Sequence, residues 1–391
     1  MLIGRPVTVV GAGIAGLAVA LALALRGAAV TVLEQAPELR EVGAGLQIAP
    51  NGARALDALG LGPALRQDGF ASQGVDLIDG ETGAGVARLD LGAVAGGFWL
   101  VHRADLIGIL RQGSAAAGVQ IRTGARVDTV RLGDTGAEVT LEGGETLAPS
   151  LLIGADGLHS LTRAALNGRV APFFTHQVAW RATIPWEGPM VPGARVFMGA
   201  GRHVVTYPLR GGQLRNIVAV EERRKWAEES WSLTDDALAL RVAFEDFVPE
   251  VRGWLDRIDA PNLWGLFRHP VAGRWHGPGV AILGDAAHPT LPFLAQGANM
   301  ALEDAWVLAD CLARHDGDAP ALAAYQVARR ERSLRIVEAA NANARNYHLS
   351  GVRRTIGHLG LRAISRYAPG RLLGRFDWLY GHDVTAGQSA R

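Results

Sequence analysis

Short apolar runs alternate with helically periodic stretches along most of this chain. Pro6-Val7-Thr8-Val9-Val10 is rich in β-branched residues, which pack well on a pleated surface, and predicts a buried strand. A helix is expected from about Leu17 to Leu25, then a second strand at Val30-Thr31-Val32-Leu33 and a helix over Gly52–Leu59. Between residues 71 and 91 apolar and polar positions alternate, which predicts antiparallel strands. Phe98-Trp99-Leu100-Val101 reads as a strand, and His102-Arg103-Ala104-Asp105-Leu106 opens a helix. Residues 125–130 and 138–141 predict a small hairpin layer with a turn at Gly143-Gly144. Leu151-Leu152-Ile153 and Val280-Ala281-Ile282-Leu283 are further buried runs, and Met300–Leu308 and 321–341 are helical. From 170 to 275 the pattern is strand-rich and aromatic, including Trp180, Trp186, Trp226, Trp231, Trp254, Trp264 and Trp275, most of them expected in the core. Strand-helix alternation interrupted by an antiparallel block predicts an α/β chain.

Composition narrows the class. At 391 residues the chain can bury a large core and is expected to hold two domains, or one with a sizeable insertion. Its 49% hydrophobic and 20% charged residues and net charge of +1 give no electrostatic bias toward nucleic acid, so no nucleic-acid partner is expected. The sole cysteine, Cys311, excludes an intrachain disulfide and reads as packing. The single lysine, Lys225, sits in a charged run, which argues against Schiff-base chemistry. Glycines break the apolar N-terminal run, and no uninterrupted apolar stretch reaches the ~18 residues of a membrane span. The expectation is a cytoplasmic protein without a membrane partner. The basic, weakly amphipathic segment from Leu359 to Arg375 is read as packing over the core.

Candidate chemistry gathers where apolar runs end. Gly11-Ala12-Gly13-Ile14-Ala15-Gly16 is a G-x-G-x-x-G pattern between a strand and a helix, and Glu34 closes the next strand, where an acid suits an adenosine ribose. Together they predict an adenine dinucleotide, either FAD or a nicotinamide cofactor. The glycine-broken segment 40–51 reads as a loop that allows close backbone approach to a flat ring, with Gln47 facing the same space. Arg103 at a helix start suits a phosphate. Asp156-Gly157 and Gly284-Asp285-Ala286-Ala287-His288-Pro289 are acidic strand ends, and Ser160 followed by Arg163 opens a helix. A helix beginning near Gly297 directs its free N–H groups toward the Asp285 cavity, which suits negative charge there. Within Arg202–Leu209, period two puts His203, Val205 and Tyr207 on one face, a base and a phenol for a pocket or a pair of satisfied core residues. Arg181 is a candidate for a substrate carboxylate, or for a strand-edge ion pair.

These motifs, in this order, resemble the single-component FAD-dependent aromatic hydroxylases. The segments 41–47, 294–297 and 376–383 look most like the salicylate, 3-hydroxybenzoate and 6-hydroxynicotinate hydroxylase branch. The resemblance implies a Rossmann-like FAD-binding domain (1–70, 100–168 and 274–345), an interleaved, mostly antiparallel β-sheet substrate domain (71–99 and 169–273) and a helical C-terminal region (346–391). It implies that Gly11, Gly13 and Gly16 face the FAD pyrophosphate, Glu34 its ribose and Arg103 its phosphates. Asp156 would lie near FAD and a transient nicotinamide site, and Asp285 near the ribityl chain or pyrophosphate. Gly297, Ala298 and Asn299 would meet the pyrimidine edge of the flavin, while Ala15, Gln35, Arg40, Gly45 and Val127 would complete the non-covalent FAD site. His203 and Tyr207 match the paired positions on that branch's substrate sheet. Gln47, counted with them as catalytic, stands where the hydroxynicotinate type has a histidine. Pro292, beside the substrate with Arg181, stands where the 3-hydroxybenzoate type has a polar amide. The implied reaction consumes NADH or NADPH and O2, and a flavin C4a-hydroperoxide transfers oxygen to a small aromatic substrate. No metal is expected, and the chain is expected to be a monomer or homodimer. Competing expectations are a halogenase or reductase of the same fold, a FAD-loaded sensor, and a nicotinamide dehydrogenase.

Overall fold

The β-branched run Pro6–Val10 lies in the middle of a six-stranded sheet. The order is His276–Gly277, Val280–Ile282, Leu152–Gly154, Pro6–Val10, Ala29–Leu33 and Gln120–Arg122, with all neighbours parallel except the first pair. This computed structural model describes residues 2–39, 44–92, 94–223 and 235–386, without the side chains of 344–346. The readings made at Arg40, at 41–43 and at Lys225, Trp226 and Trp231 lie outside the described residues.

Helix Ile14–Ala24 is apolar on every side and buried along nearly its whole length, because it is packed against both Arg103–Ala116 and Gly297–Arg314. It begins at Ile14, before the expected Leu17, since the chain turns helical directly after Gly13. The segment read as a loop is partly a strand: Gly45–Ile48 pairs antiparallel with Trp99–His102, which also pairs with Phe70–Ala71. Buried Ile48 supplies the apolar anchor that its glycines obscure in the sequence.

A second sheet has seven strands in the order Asn262–Arg268, Phe173–Pro185, Leu214–Glu222, Arg202–Leu209, Ala194–Gly199, Gly74–Asp79 and Gly85–Asp90. All its pairs are antiparallel except Ala194–Gly199 with Gly74–Asp79. The alternation at 71–91 therefore belongs to the same sheet as the aromatic block. Helices Ala237–Ala243 and Pro249–Leu255 cover one face, burying Trp180, Phe197, Phe244 and Phe247. A small layer of Val127–Leu132, Ala137–Leu141 and Thr146–Leu147 flanks the first sheet. The chain ends in helices Asp318–Tyr347, Gly351–Tyr367, Gly370–Gly374 and Asp377–Tyr380. Among the described residues, no helix is long and apolar enough to cross a membrane.

Candidate functional site

The glycine turn is dictated by crowding. Gly11 has φ +97°, and a Cβ there would lie 2.6 Å from the Ala155 carbonyl oxygen; a Cβ on Gly16 would lie 1.8 Å from that of Gly11. The turn is thereby pressed against the end of strand Leu152–Gly154. At Gly13 a Cβ would meet nothing within 4 Å, because this residue borders a cavity of about 620 Å³. Glu34 accepts 2.8 Å hydrogen bonds from the Ala12 and Ala36 N–H groups, so its carboxylate is fixed against the turn with lone pairs to spare.

The cavity lies between this turn and the open face of the seven-stranded sheet. From the first side come Gly13, Ala15, Gly45, Gln47, Arg103 and Asp285, and next to them Pro292, Gly297 and Ala298. Asp285 is deep in the molecule yet open to the cavity; burial pushes its carboxyl up, opposed by His288, Arg103 and His269. Among the described residues no side chain caps helix Gly297–Arg314, which leaves its first N–H groups to whatever fills the space.

The sheet contributes His203, Val205 and Tyr207 from one strand, with Arg181 and Val218 beyond them. Val205 pairs with Val196 and Val218, so the floor between the polar groups is apolar. At the strand rise, the Cα atoms of His203 and Tyr207 are ~13 Å apart. Burial, with His348 adding to it, holds the His203 imidazole well below its usual pKa, so the ring is neutral at pH 7 and keeps a lone pair on one nitrogen. Burial pushes the Tyr207 phenol up despite Arg181, and keeps it a hydrogen-bond donor. The Arg181 guanidinium stacks 4.3 Å over Trp264, and its Nε has no hydrogen-bond partner. Burial lowers its pKa to about 10, so it remains a cation on the cavity wall.

Several expected residues do not line this cavity. Gly11, Gly16, Glu34, Gln35 and Val127 are not part of the cavity lining, although the first three shape the turn that is. Asp156 also stands behind the lining, where its carboxylate accepts from the Ser160 hydroxyl at 2.5 Å and from the Thr162 N–H and hydroxyl at 3.1 Å. Gly157 borders the cavity in its place. Asn299 uses its side chain within the protein, accepting from Ala49 N–H at 2.9 Å and donating to the carbonyls of Gln47 and Ala295. The Gly45 N–H donates to Asn216 Oδ1 at 2.7 Å.

Sequence reasoning missed the buried ionic cluster beneath the Asp285 turn. Asp304 accepts from the Gly284 N–H at 3.1 Å, pairs with His288 and accepts from Arg329 Nε at 2.8 Å. Glu303 receives Asn51, Arg329 and Arg332, and Arg332 also donates to the carbonyls of Trp378 and Leu379. Within a helical pattern these acids look like a solvated face. Their i, i+1 spacing inside an otherwise apolar run was the available signal. Free Cys311 is buried on the same helix, as expected for packing.

The lining suits FAD. Open space at Gly13, an arginine, helix N–H groups without a side-chain cap and an apolar wall suit the pyrophosphate and ring of that cofactor in chemistry. A family described as FAD binding domain matches residues 5–340. The chain is 35% identical over 395 residues to a 3-hydroxybenzoate 6-hydroxylase of Polaromonas naphthalenivorans, covering 97% of this chain and 96% of that protein. It is 36% identical over 360 residues to a 3-amino-4-hydroxybenzoate 2-monooxygenase of Streptomyces cremeus, covering 88% of each. A solved salicylate hydroxylase substrate complex shares the fold with TM-score 0.82 at 24% identity, over 98% of this chain and 97% of that one.

Proposed function

The chain belongs to the FAD-dependent aromatic hydroxylases, and from that premise we propose that it uses NADH or NADPH and O2 to hydroxylate a small phenolic acid of the hydroxybenzoate kind. The observation that carries the substrate reading is the polar pair His203 and Tyr207 at the two ends of an apolar floor, with the unmatched cation Arg181 beside it.

Bound FAD supplies the two-electron acceptor and the activation of oxygen. Gly13, Arg103 and the start of helix 297–314 would hold its phosphates and pyrimidine edge, and Asp285 would accept from its hydroxyls. The substrate ring lies on Val205, Val196 and Val218. Tyr207 donates to its carboxylate and Arg181 balances the charge, while His203 Nε2 takes the phenolic proton and so enriches the ring for attack by an electrophilic oxygen. Gln47 and Pro292 close the space on the opposite side. Asp156, holding the loop at Gly157, shapes the approach of the nicotinamide. In this reading the segments 1–70, 100–168 and 274–345 act as the FAD-binding domain and 71–99 with 169–273 as the substrate domain, so that the ring would lie between their two sheets.

The test is a screen of monohydroxylated benzoates for stimulation of NAD(P)H consumption, with product analysis to separate hydroxylation from peroxide release. A stimulating acid that yields a dihydroxylated product supports the reading. Stimulation by none of the panel contradicts it.

A further inference from the structure

His203 is the first member of a hydrogen-bonded line that leaves the cavity. Its Nδ1 is 2.8 Å from His348 Nε2, and His348 Nδ1 is 2.7 Å from Glu222 Oε1. The two imidazoles are buried, whereas the Glu222 side chain is 52% exposed. We propose that His203, His348 and Glu222 form a proton path from the substrate to solvent, with His348 and Glu222 as positioning and relay residues. This rests on the reading of His203 as the group that takes the phenolic proton.

The chemistry of the line fixes its protons. A carboxylate only accepts, so His348 Nδ1 carries hydrogen and donates to Glu222. Neutral His348 then has a lone pair on Nε2, which obliges His203 Nδ1 to be the donor between the rings. His203 Nε2 is left as a bare base with no protein partner among the described residues. The Gln177 amide lies 3.3 Å from His348 Nδ1. With Nδ1 protonated, the amide turns its oxygen to that side, as a second and longer acceptor beside Glu222.

Transfer is then a set of short hops. The phenol O–H bond breaks as its proton passes to His203 Nε2, the Nδ1 proton of His203 moves to His348 Nε2, and the Nδ1 proton of His348 moves to Glu222 and on to water. The ring is left as phenolate, and the reverse hops restore both imidazoles when product is reprotonated. His348 is also the C-cap of helix Asp318–Tyr347, where the negative end of the dipole favours a passing positive charge. The groups facing the pair are Glu222 and Gln177 from the sheet and Tyr347 and Phe293 from the other side. Glu222 is the anion among them. Burial lowers the basicity of His348 while Glu222 restores part of it, which keeps the middle station from trapping the proton.

The experiment follows proton release when the FAD-loaded enzyme binds 4-hydroxy-3-nitrobenzoate, a phenol whose anion absorbs in the visible, at a pH below the free ligand's own phenol pKa so that it binds with its proton. A pH indicator reports the proton in stopped flow. Wild type is expected to form the bound phenolate and release one proton in step. H348Q and E222Q should retain FAD and ligand but slow release on the order of 10- to 100-fold, with an increased solvent isotope effect. H203Q should abolish ionisation. E222Q changes an exposed side chain to an isostere that still accepts from His348, so it remains informative if H348Q does not fold. Release at the wild-type rate in E222Q or in folded H348Q overturns the path while leaving His203 as base. Failure of the wild type itself to ionise the bound phenol overturns the functional reading and the path with it.

Discussion

The Asn299 side-chain amide donates to the Gln47 carbonyl at 3.0 Å, joining the start of the helix 297–314 to the cavity strand Gly45–Ile48 across most of the sequence. Its oxygen accepts from the N–H of Ala49, the residue that follows the strand and caps helix Pro50–Ala58. Asn299→Ala leaves these buried backbone groups unpaired, at about 1–3 kcal/mol each. The expected outcome is a Tm lower by several degrees and weaker FAD retention, read by melting curves that follow flavin fluorescence.

Gly45 has no room for a side chain, because a Cβ would lie 2.5 Å from the Tyr207 ring and 2.8 Å from its hydroxyl oxygen. Gly45→Ala is expected to displace the Tyr207 ring into the substrate space. Titration with the hydroxybenzoate substrate should show KM raised on the order of tenfold, with FAD still bound; an unchanged KM would remove Tyr207 from substrate contact.

Arg181 is a cation on the cavity wall whose Nε is without a hydrogen-bond partner among the described residues. If it balances the substrate carboxylate, Arg181→Gln removes a charge-assisted interaction of about 1.5–3 kcal/mol, roughly 10- to 100-fold in kcat/KM. The loss should be confined to acids. Parallel assays with a phenol lacking the carboxylate should show little change in the variant.

The ionic cluster predicts the acid limit of stability. Burial pushes Glu303 up, but Arg329, Arg332 and the Asn51 amide outweigh it and hold the carboxyl at about 2. Burial likewise acts on Asp304, and His288 with Arg329 brings it to about 2. Folded values below the unfolded ones, ~4, mean that this contribution is complete above about pH 5 and is lost as pH falls toward 2. Denaturant unfolding measured from pH 7 to pH 3 should show a steep decline. Glu303→Gln should flatten it while costing about 3–5 kcal/mol at pH 7.

Local signals carried much of this. The spacing of Gly11, Gly13 and Gly16 sufficed because crowding at a tight turn is a short-range demand, and period two put His203, Val205 and Tyr207 on one face for the same reason. Asp285 at a strand end was equally readable. His348 was not, since its meaning comes from a helix terminus meeting the start of a central strand 145 residues away. Glu303, Asp304 and Arg329 pair across two helices, and charge in a helical pattern does not say whether the face is wet or buried. Gly45–Ile48 looked like a loop because its strand partner, Trp99–His102, is distant in the chain.

The most direct measurement of the central claim is isotope tracing of a single turnover series: purified enzyme, NAD(P)H, a stimulating monohydroxybenzoate and labelled O2. The account predicts one labelled oxygen atom in a dihydroxylated ring for most of the nicotinamide oxidised, with that coupling lost in His203→Gln while FAD stays bound. A protein that purifies without FAD, or a product whose new oxygen comes from water, would contradict it.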